Sequence, residues 1–475
     1  MKRLLCLLLF CVSAFCSMGQ TDLKQKTDSV FRMIEKDINE KKADDLYELT
    51  GDTFRGSFTR EAFKGFCTNN LFPLNNITGS SLEAFDNNLC RYKISFAAIK
   101  LTLLLGIDKK NKIETIMFQP YKEPRSAKHQ KPQTSNKLIT GIDKAVDSAA
   151  TPYMMMAPTT GLSLAVIMPG NVYYYSYGET AKGDNILPDE HTIFEIGSIT
   201  KTFTATMLAE ASLTGKVRLD DPINKYLPDS IPKLSYDGVP VTLKSMSNHS
   251  SGLPALPTNF KPANLNNPYS DYTKQDLMRY FRHIKLTRKP GEKYEYSNLA
   301  VGTLGMILAD LYHMDYQSLV RREICDPLKM NETRVSIKKA DSTRLARGYD
   351  EYGAEVPGWD FQVLAGAGSL HSTVFDLVKY VKANMGAAYG LLNRSMQLAH
   401  KQTFKDGQST VAMAWHYIRP GRDSLIFHNG GTGGYRSYLA FDDQKKFAVV
   451  VLSNTAIGTE DIGNQIMSWL EEKYK

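Results

Sequence analysis

The chain has 475 residues, of which 42% are hydrophobic and 23% are charged, and its formal net charge at pH 7 is +8. A chain of this length exceeds what one hydrophobic core usually organises, so we expect at least two domains. The composition excludes an intrinsically disordered protein. The positive charge comes without the interleaved aromatic residues of a nucleic-acid surface, so no nucleic-acid partner is expected.

The first 19 residues have the pattern of a secretory signal peptide. A basic start precedes an apolar run from Leu4 to Phe15, and small residues follow where a signal peptidase cleaves. The run is too short to span a bilayer, and no later segment reaches the roughly 18 uninterrupted apolar residues of a transmembrane helix. We therefore expect export to the periplasm or the extracellular space, with a mature chain that begins near Gln20. A lipid anchor on Cys16 is the alternative, which the bulky Phe15 disfavours.

Three of the six cysteines lie in this segment, and Cys67, Cys90 and Cys325 remain. In an oxidising compartment Cys67 and Cys90 could form a disulfide and Cys325 would stay free. Three buried thiols are the other interpretation. Neither Cys-x-x-Cys nor His-x-x-x-His spacing occurs, so no metal and no other cofactor is expected.

Composition divides the rest of the chain into three parts. Residues 20–122 show a helical pattern followed by strand patterns, which predicts a small α+β domain. This order resembles the small cone-shaped domains of the NTF2-like type, and a spacer or wall-binding role is expected. Residues 123–137, "EPRSAKHQKPQTSNK", contain two prolines and many polar residues without apolar periodicity, which predicts a linker.

The pattern of strands and helices in residues 138–475 predicts an α+β domain with two lobes. Strand patterns occur early, on both sides of the turn 169–171, and again near the end in "SLIFH", "YRSYLAF" and "KFAVVVLSN". The region between them is mostly helical. We therefore expect one antiparallel sheet built from both ends of the domain and flanked by helices, with a helical lobe inserted and a cleft between the lobes.

Ser-x-x-Lys occurs three times, and only the copy at Ser198 and Lys201 leads into an apolar helix without Gly or Pro before Gly215. Residues three apart lie on the same helix face, so the Lys201 amine can reach the Ser198 hydroxyl. A desolvated lysine binds its proton weakly and can act as the base that activates a serine nucleophile. The tetrapeptide alone also fits a helix-capping serine beside a solvated lysine.

Two further motifs follow along the chain. "YSN" at 296–298 is a Tyr-x-Asn sequence, and "HNGG" at 428–431 enters a late strand. Ser-x-x-Lys, Tyr-x-Asn and Lys/His-x-Gly in this order resemble the penicillin-recognising serine hydrolases, which include class C β-lactamases, D-alanyl-D-alanine carboxypeptidases and related esterases. The resemblance extends over the whole of residues 138–475 and implies the β-lactamase-like two-lobed fold.

The resemblance implies a role for each matched residue. Ser198 attacks the substrate carbonyl and becomes acylated, while Lys201 keeps its hydroxyl deprotonated. Tyr296 carries a proton to the leaving group and later helps to activate water. The backbone N–H groups of Ser198 and Gly431 form the oxyanion hole.

The resemblance also implies four substrate-binding residues: Asn298, His428, Gly430 and Gly431. Asn298 would orient Lys201 or bind the substrate amide, and the two glycines would leave the strand edge open to the substrate. His428 stands where many β-lactamases carry lysine, and histidine near pH 7 is mostly neutral. The weaker cation argues against a specialised β-lactamase and fits a D-amino-acid peptidase or an ester hydrolase.

Two functions follow from these motifs. The first is an exported serine hydrolase that forms an acyl-enzyme with a D-alanine-type peptide, an ester or a β-lactam. The expected partner is this small-molecule or peptide substrate, which could derive from peptidoglycan. The second is a non-catalytic sensor or wall-binding module that is acylated but scarcely turns over. The three intact motifs favour the enzyme. His249, in "NHSSG", is expected to be structural and hydrogen-bonded to backbone.

Overall fold

The computed structural model describes residues 20–86, 88–121, 130–407, 409–418 and 425–474. The chain divides into two compact units, at residues 1–124 and 125–475. The expected signal peptide, including the alternative anchor at Cys16, lies outside the described residues, as does the first half of the expected linker. Among the described helices, none has both the length and the apolar character needed to cross a bilayer.

In the described residues of the first unit, four α-helices and a short π-helical and 3₁₀ segment precede a four-stranded antiparallel sheet in the order β1-β2-β3-β4. Its elements are α1 Gln20–Asn39, α2 Ala43–Glu48, α3 Asp52–Ser57, α4 Arg60–Phe66, β1 Ile77–Asp86, β2 Leu89–Phe96, β3 Lys100–Ile107 and β4 Ile113–Pro120. The stretch "YKISFAAIKLTLLLGID" forms two of these strands. The polar edge strand β1 gave no strand signal, because it lacks a run of β-branched or aromatic residues.

The core of the first unit lies between α1 and the sheet. Phe31, Ile34 and Ile38 recur every three or four residues and are fully buried, and Phe31 stacks on Tyr92 of β2 with ring centroids 3.9 Å apart. Cys67 is also in this core, and burial raises the pKa of its thiol to about 12. Such a thiol carries no nucleophilic thiolate at neutral pH.

All three cysteines of the described chain are free and buried. The disulfide between Cys67 and Cys90 is therefore not formed, and the alternative of three buried thiols describes the structure. Cys325 belongs to the core of the second unit, where burial likewise raises its pKa to about 12.

The second unit is an α+β domain with a large sheet and many helices. Its strands are β5 Gly161–Met168, β6 Asn171–Gly178, β7 Phe194–Glu195, β8 Ser235–Tyr236, β9 Val239–Pro240, β10 His371–Ser372, β11 Phe404–Lys405, β12 Thr410–Val411, β13 His416–Ile418, β14 Leu425–Gly431, β15 Arg436–Asp442 and β16 Phe447–Ser453. Its helices are α5 Gly141–Met154, α6 Thr200–Leu213, α7 Leu243–Ser247, α8 Lys274–His283, α9 Asn298–Leu311, α10 Tyr316–Val320, α11 Asp326–Leu328, α12 Val374–Lys382, α13 Gly390–Ala399 and α14 Glu460–Lys473.

The large sheet joins both ends of this unit, as the sequence predicted. Its strand order is β11-β12-β13-β14-β15-β16-β5-β6, so the first strand pairs with the last, Leu164 opposite Val451. Leu164 and Val451 pack against α5 and α14 on one face, while Ala165 and Val450 face the core that contains α6 and α9. Because both faces are covered, the central strands β5 and β16 are apolar at nearly every position, with Ser163 and Ser453 as the exceptions. Close to the expected linker's end, Ser135 donates a backbone hydrogen bond of 3.0 Å to Ser176 of β6.

Candidate active site

Ser198 lies in a short 3₁₀ turn, Gly197–Ile199, that leads directly into α6. Lys201 is the second residue of α6, three positions after Ser198, and residues three apart lie on the same side of a helical turn, so the two side chains meet. The Ser198 Oγ and the Lys201 Nζ are 2.9 Å apart. The sequence placed both residues on one regular helix; the contact that it predicted is present, with Ser198 in the 3₁₀ turn and Lys201 in the α-helix that follows it.

The side chain of Lys201 is completely buried, with no exposed surface. Its Nζ donates a second hydrogen bond of 2.6 Å to the carbonyl oxygen of Ala367. No carboxylate in the described part of the chain lies within ion-pair distance of this nitrogen. Burial therefore lowers the pKa of Lys201 well below its usual value. A neutral amine with a free lone pair can accept the Ser198 proton.

Tyr296 closes the other side of the nucleophile. Its hydroxyl is hydrogen-bonded to Ser198, and the Lys201 Nζ lies 4.8 Å from the centroid of its ring. Burial raises the pKa of the Tyr296 phenol. The Ser198 oxygen thus stands between an uncharged amine and a protonated phenol, two groups that can exchange its proton.

Three glycines bring β14 against the nucleophile turn. A Cβ atom at Gly430 would lie 2.1 Å from the Ile196 carbonyl oxygen and 3.0 Å from the Ser198 nitrogen. A Cβ atom at Gly197, where φ is +49°, would lie 2.6 Å from the Gly431 nitrogen. At Gly197 and Gly430 glycine is therefore required because two backbones touch, a different reason from the substrate access that the sequence suggested; a Cβ atom at Gly431 would meet only the Arg436 side chain. The touching segments carry the two N–H groups of the expected oxyanion hole.

His428 is fully neutral in this environment. Its Nδ1 lies 2.6 Å from the carbonyl oxygen of Asn429, so Nδ1 carries the proton that is donated. The Nε2 atom is then a lone-pair acceptor, and it is buried without a partner among the described residues. Burial, and then the charges that His416 and Lys201 would carry, lower the pKa of His428 well below its usual value.

Two more histidines extend this end of the site, and sequence reasoning assigned neither to it. The ring of His416 lies 5.3 Å from that of His428, and the ring of His249 lies 4.5 Å from that of Tyr296. His249 Nδ1 accepts the Ser297 backbone N–H at 3.1 Å, which is the backbone bond expected for it. For His416 the sequence offered one signal, a short strand pattern. This strand, β13, pairs with β14, and His416 lies opposite Phe427, the residue before His428.

Asn298 begins α9 and faces the opposite end of the site. Its Nδ2 donates to the Tyr269 hydroxyl at 3.2 Å, while its Oδ1 is buried without a partner in the described chain. Asn298 does not hold Lys201; the Ala367 carbonyl does. Tyr269 in turn lies 5.5 Å from the ring of Trp359, so aromatic side chains end the cleft here.

A serine held between an uncharged amine and a phenol, beside two backbone N–H groups, is an arrangement for acyl transfer. The fold and this site define a serine hydrolase. The family model described as Beta-lactamase matches residues 146–468. The chain belongs to the beta-lactamase family.

Individual relatives are consistent with this assignment. A beta-lactamase of Pseudomonas fluorescens is 29% identical over 350 residues, which are 66% of this chain and 94% of that protein. The D-alanyl-D-alanine-carboxypeptidase/endopeptidase AmpH of Escherichia coli (strain K12) is 30% identical over 325 residues, which are 65% of this chain and 82% of that protein.

Solved structures share the fold. A beta-lactamase/D-alanine carboxypeptidase from Pseudomonas syringae matches with a TM-score of 0.61 and 26% identity, covering 69% of this chain and 99% of that one. A class C beta-lactamase matches with a TM-score of 0.62 and 27% identity, covering 71% of this chain and 98% of that one.

Proposed function

We propose that the protein hydrolyses esters or D-alanine-type peptides through an acyl-enzyme on Ser198, and that it prefers those whose leaving group has no free carboxylate. The observation that carries this proposal is the 2.9 Å contact between the Ser198 Oγ and the Nζ of a fully buried Lys201. A lysine without a carboxylate partner in such a site is neutral at neutral pH, and only the neutral amine can remove the serine proton.

In the proposed reaction, the Ser198 oxygen bonds to the substrate carbonyl carbon while its proton passes to Lys201. The negative charge on the carbonyl oxygen is stabilised by the N–H groups of Ser198 and Gly431. The bond to the leaving group breaks, and Tyr296 supplies the proton that the leaving group takes up. Tyr296 is then reprotonated by Lys201, and a water molecule activated by the same pair hydrolyses the acyl-enzyme.

The charge of the site supports a substrate without a carboxylate on the leaving group. Tyr296 must be close to the leaving group, and His249 packs on its ring. The ring of His416 lies beside that of His249, and the ring of His428 lies beside that of His416. All three are kept neutral by burial. No permanent cation is among these described side chains, so esters and amidated peptides are favoured over penicillins and over peptides that end in free D-alanine, whose carboxylates require one.

Intact-protein mass spectrometry tests the acyl-enzyme. Incubation with a fluorophosphonate or a penicillin is expected to add one probe mass, and the Ser198→Ala variant should add none. Absence of an adduct with both probe classes would contradict the proposal. Steady-state turnover of esters, D-Ala-D-Ala peptides and cephalosporins then separates a hydrolase from the sensor alternative, which would give a stoichiometric burst and no turnover.

The proposed function includes export of the protein and a separate module formed by the first unit. The pattern of residues 1–19 supports export, and fractionation of cells that express the full chain tests it: residue 20 should be the N-terminus of the protein recovered outside the cytoplasm. Residues 20–122 would form a separate NTF2-like module. Its self-contained core supports independent folding, and cooperative unfolding of a fragment of residues 20–122 tests it.

A further inference from the structure

Glu195 is a buried acid that the proposed reaction does not use. It lies three residues before Ser198 and is 4% exposed. No lysine or arginine in the described chain pairs with it, and its nearest basic neighbour is the His371 Nε2 at 3.7 Å, on the paired strand β10. Burial lowers the pKa of His371 to about 4, so that ring is neutral. A buried carboxyl group without a cation needs a structural reason.

Its carboxylate holds the segment that contains Trp359. The Oε1 atom of Glu195 accepts the backbone N–H of Trp359 at 2.9 Å. A Cβ atom at Gly358 would lie 2.4 Å from the same oxygen, so only glycine admits the carboxylate there. The strand that leads to the nucleophile is therefore fastened to the Trp359 backbone through one side chain.

Trp359 touches both walls of the cleft. Its indole Nε1 donates to the Asn266 carbonyl oxygen at 3.0 Å, and its ring lies 5.5 Å from that of Tyr269, the partner of Asn298. On the other wall, a Cβ atom at Gly433 would lie 2.7 Å from the indole Nε1. Gly433 follows Gly431 by two residues, so the indole lies just beyond the expected oxyanion hole.

The two ends of the cleft serve different parts of a substrate. The leaving group must lie near its proton donor Tyr296, which packs on His249. The acyl group then extends the other way, past Gly431 and towards Trp359. Building on the function proposed above, we propose that Glu195 is a positioning residue that holds Trp359 across this end and so fixes the surface on which the acyl group binds.

The ionisation of Glu195 bears on this role. Burial raises the pKa of Glu195 to about 7, while Thr432 and the Trp359 N–H stabilise the anion. The other titratable groups that face it are His371, Asp360 of the Trp359 segment and Tyr435 of the turn after β14. The anion accepts the Trp359 N–H with Oε1, whereas in the protonated acid one of the two oxygens must act as a donor. The hold on Trp359 is therefore strongest above pH 7.

A double-mutant cycle tests whether Glu195 acts through Trp359. The readout is the ratio of kcat/KM for p-nitrophenyl phenylacetate to that for p-nitrophenyl acetate, which share a leaving group. Glu195→Ala and Trp359→Ala are each expected to lower this ratio about tenfold, and the double variant by no more than either one. Additive losses, or a ratio that neither change moves, would overturn the proposal.

Conservative variants separate positioning from simple loss of stability. Glu195→Gln keeps an oxygen for the Trp359 N–H but does not ionise, so its acyl-group ratio should be low and independent of pH between about 6 and 8. The wild-type ratio should rise over the same range. Glu210→Gln is the matched control, because Glu210 is also a buried glutamate with a raised pKa, on the far half of α6. An identical response of both glutamine variants would overturn the proposal.

Tryptophan fluorescence gives a readout that needs no turnover. Trp359 is one of three tryptophans, and its signal is the difference between the wild type and Trp359→Phe. Acrylamide quenching of this signal should increase as the pH falls from 8 to 6, and Glu195→Gln should remove the change. If no ester is hydrolysed in a Ser198-dependent way, the proposed function fails while this measurement still decides the role of Glu195. Quenching that is insensitive to pH and to Glu195→Gln would refute that role.

Discussion

The Lys201 Nζ is hydrogen-bonded at 2.6 Å to the carbonyl oxygen of Ala367, a residue 166 positions further along the chain. The amine therefore donates one of its hydrogen bonds to an uncharged acceptor. The Ser198 Oγ, at 2.9 Å, takes another. A carboxylate in place of the carbonyl would hold the proton on the lysine, so the choice of partner keeps the amine basic and uncharged.

Replacement of Lys201 by methionine should remove activity and increase stability. We expect Lys201→Met to lower kcat/KM by about 10³-fold or more, because the base is lost. In the folded wild type the pKa of Lys201 is lowered, so the unfolded chain binds more protons below the ordinary lysine pKa. Wild-type stability therefore rises with pH up to about 10.4, and the variant should lack this contribution. Urea unfolding from pH 7 to 10 measures both slopes. Identical slopes would contradict the lowered pKa.

The protein should lose stability in mild acid, because several histidines are buried in neutral form. Burial lowers the pKa of His371 and His416 to about 4 and that of His400 to about 3. Unfolded histidines bind protons below about 6.5, so the free energy of unfolding should fall as the pH drops from there towards 4. His400→Phe should reduce this dependence, and the exposed His283→Gln should not. Thermal unfolding between pH 4 and 7 measures it; equal pH dependence in all three proteins would refute the explanation.

A cation at position 428 should change the preferred leaving group. His428→Lys places an ammonium group where the wild type has a neutral imidazole. We expect kcat/KM for a D-Ala-D-Ala peptide to rise about tenfold relative to its C-terminal methyl ester, because the free carboxylate gains a partner. His428→Gln is the neutral control and should leave the ratio near that of the wild type. A ratio that is the same in all three proteins would show that position 428 does not face the leaving group.

A methyl group at Gly430 should separate β14 from the nucleophile turn. The added carbon in Gly430→Ala would lie 2.1 Å from the Ile196 carbonyl oxygen, so one backbone must move. We expect a stability loss of about 1–3 kcal/mol. Displacement of the oxyanion N–H groups should lower kcat/KM by about 10²-fold. Gly407→Ala is the control, since a Cβ atom there meets no atom within 4 Å. Wild-type kcat/KM in Gly430→Ala would argue against this oxyanion hole.

Much of the site could be predicted because its signals are local in sequence. Ser198 and Lys201 are three residues apart where a 3₁₀ turn continues into α6, and this spacing brings their side chains together. The large sheet was predictable for a similar reason: β5, β15 and β16 are short apolar runs bounded by turn residues, and both ends of the domain supply them. The polar strand β1 gave no such signal and was missed.

The rest depended on contacts between distant segments. Ala367 contributes a backbone carbonyl, which any residue type could supply, so no sequence pattern identifies it. His249 and His416 were not assigned to the site, because each is one histidine in an ordinary turn or strand until β13 and β14 are paired.

The chain by itself determined the nucleophile, its neighbouring amine and the apolar strands and helices, since local spacing and side-chain chemistry specify these. The tertiary structure alone decided that Lys201 is fully buried and faces a carbonyl, that His428 is neutral, and that Glu195 reaches the Trp359 backbone. The physical reason is that a protonation state depends on the burial and partners of a group, and both are set by residues far away in sequence.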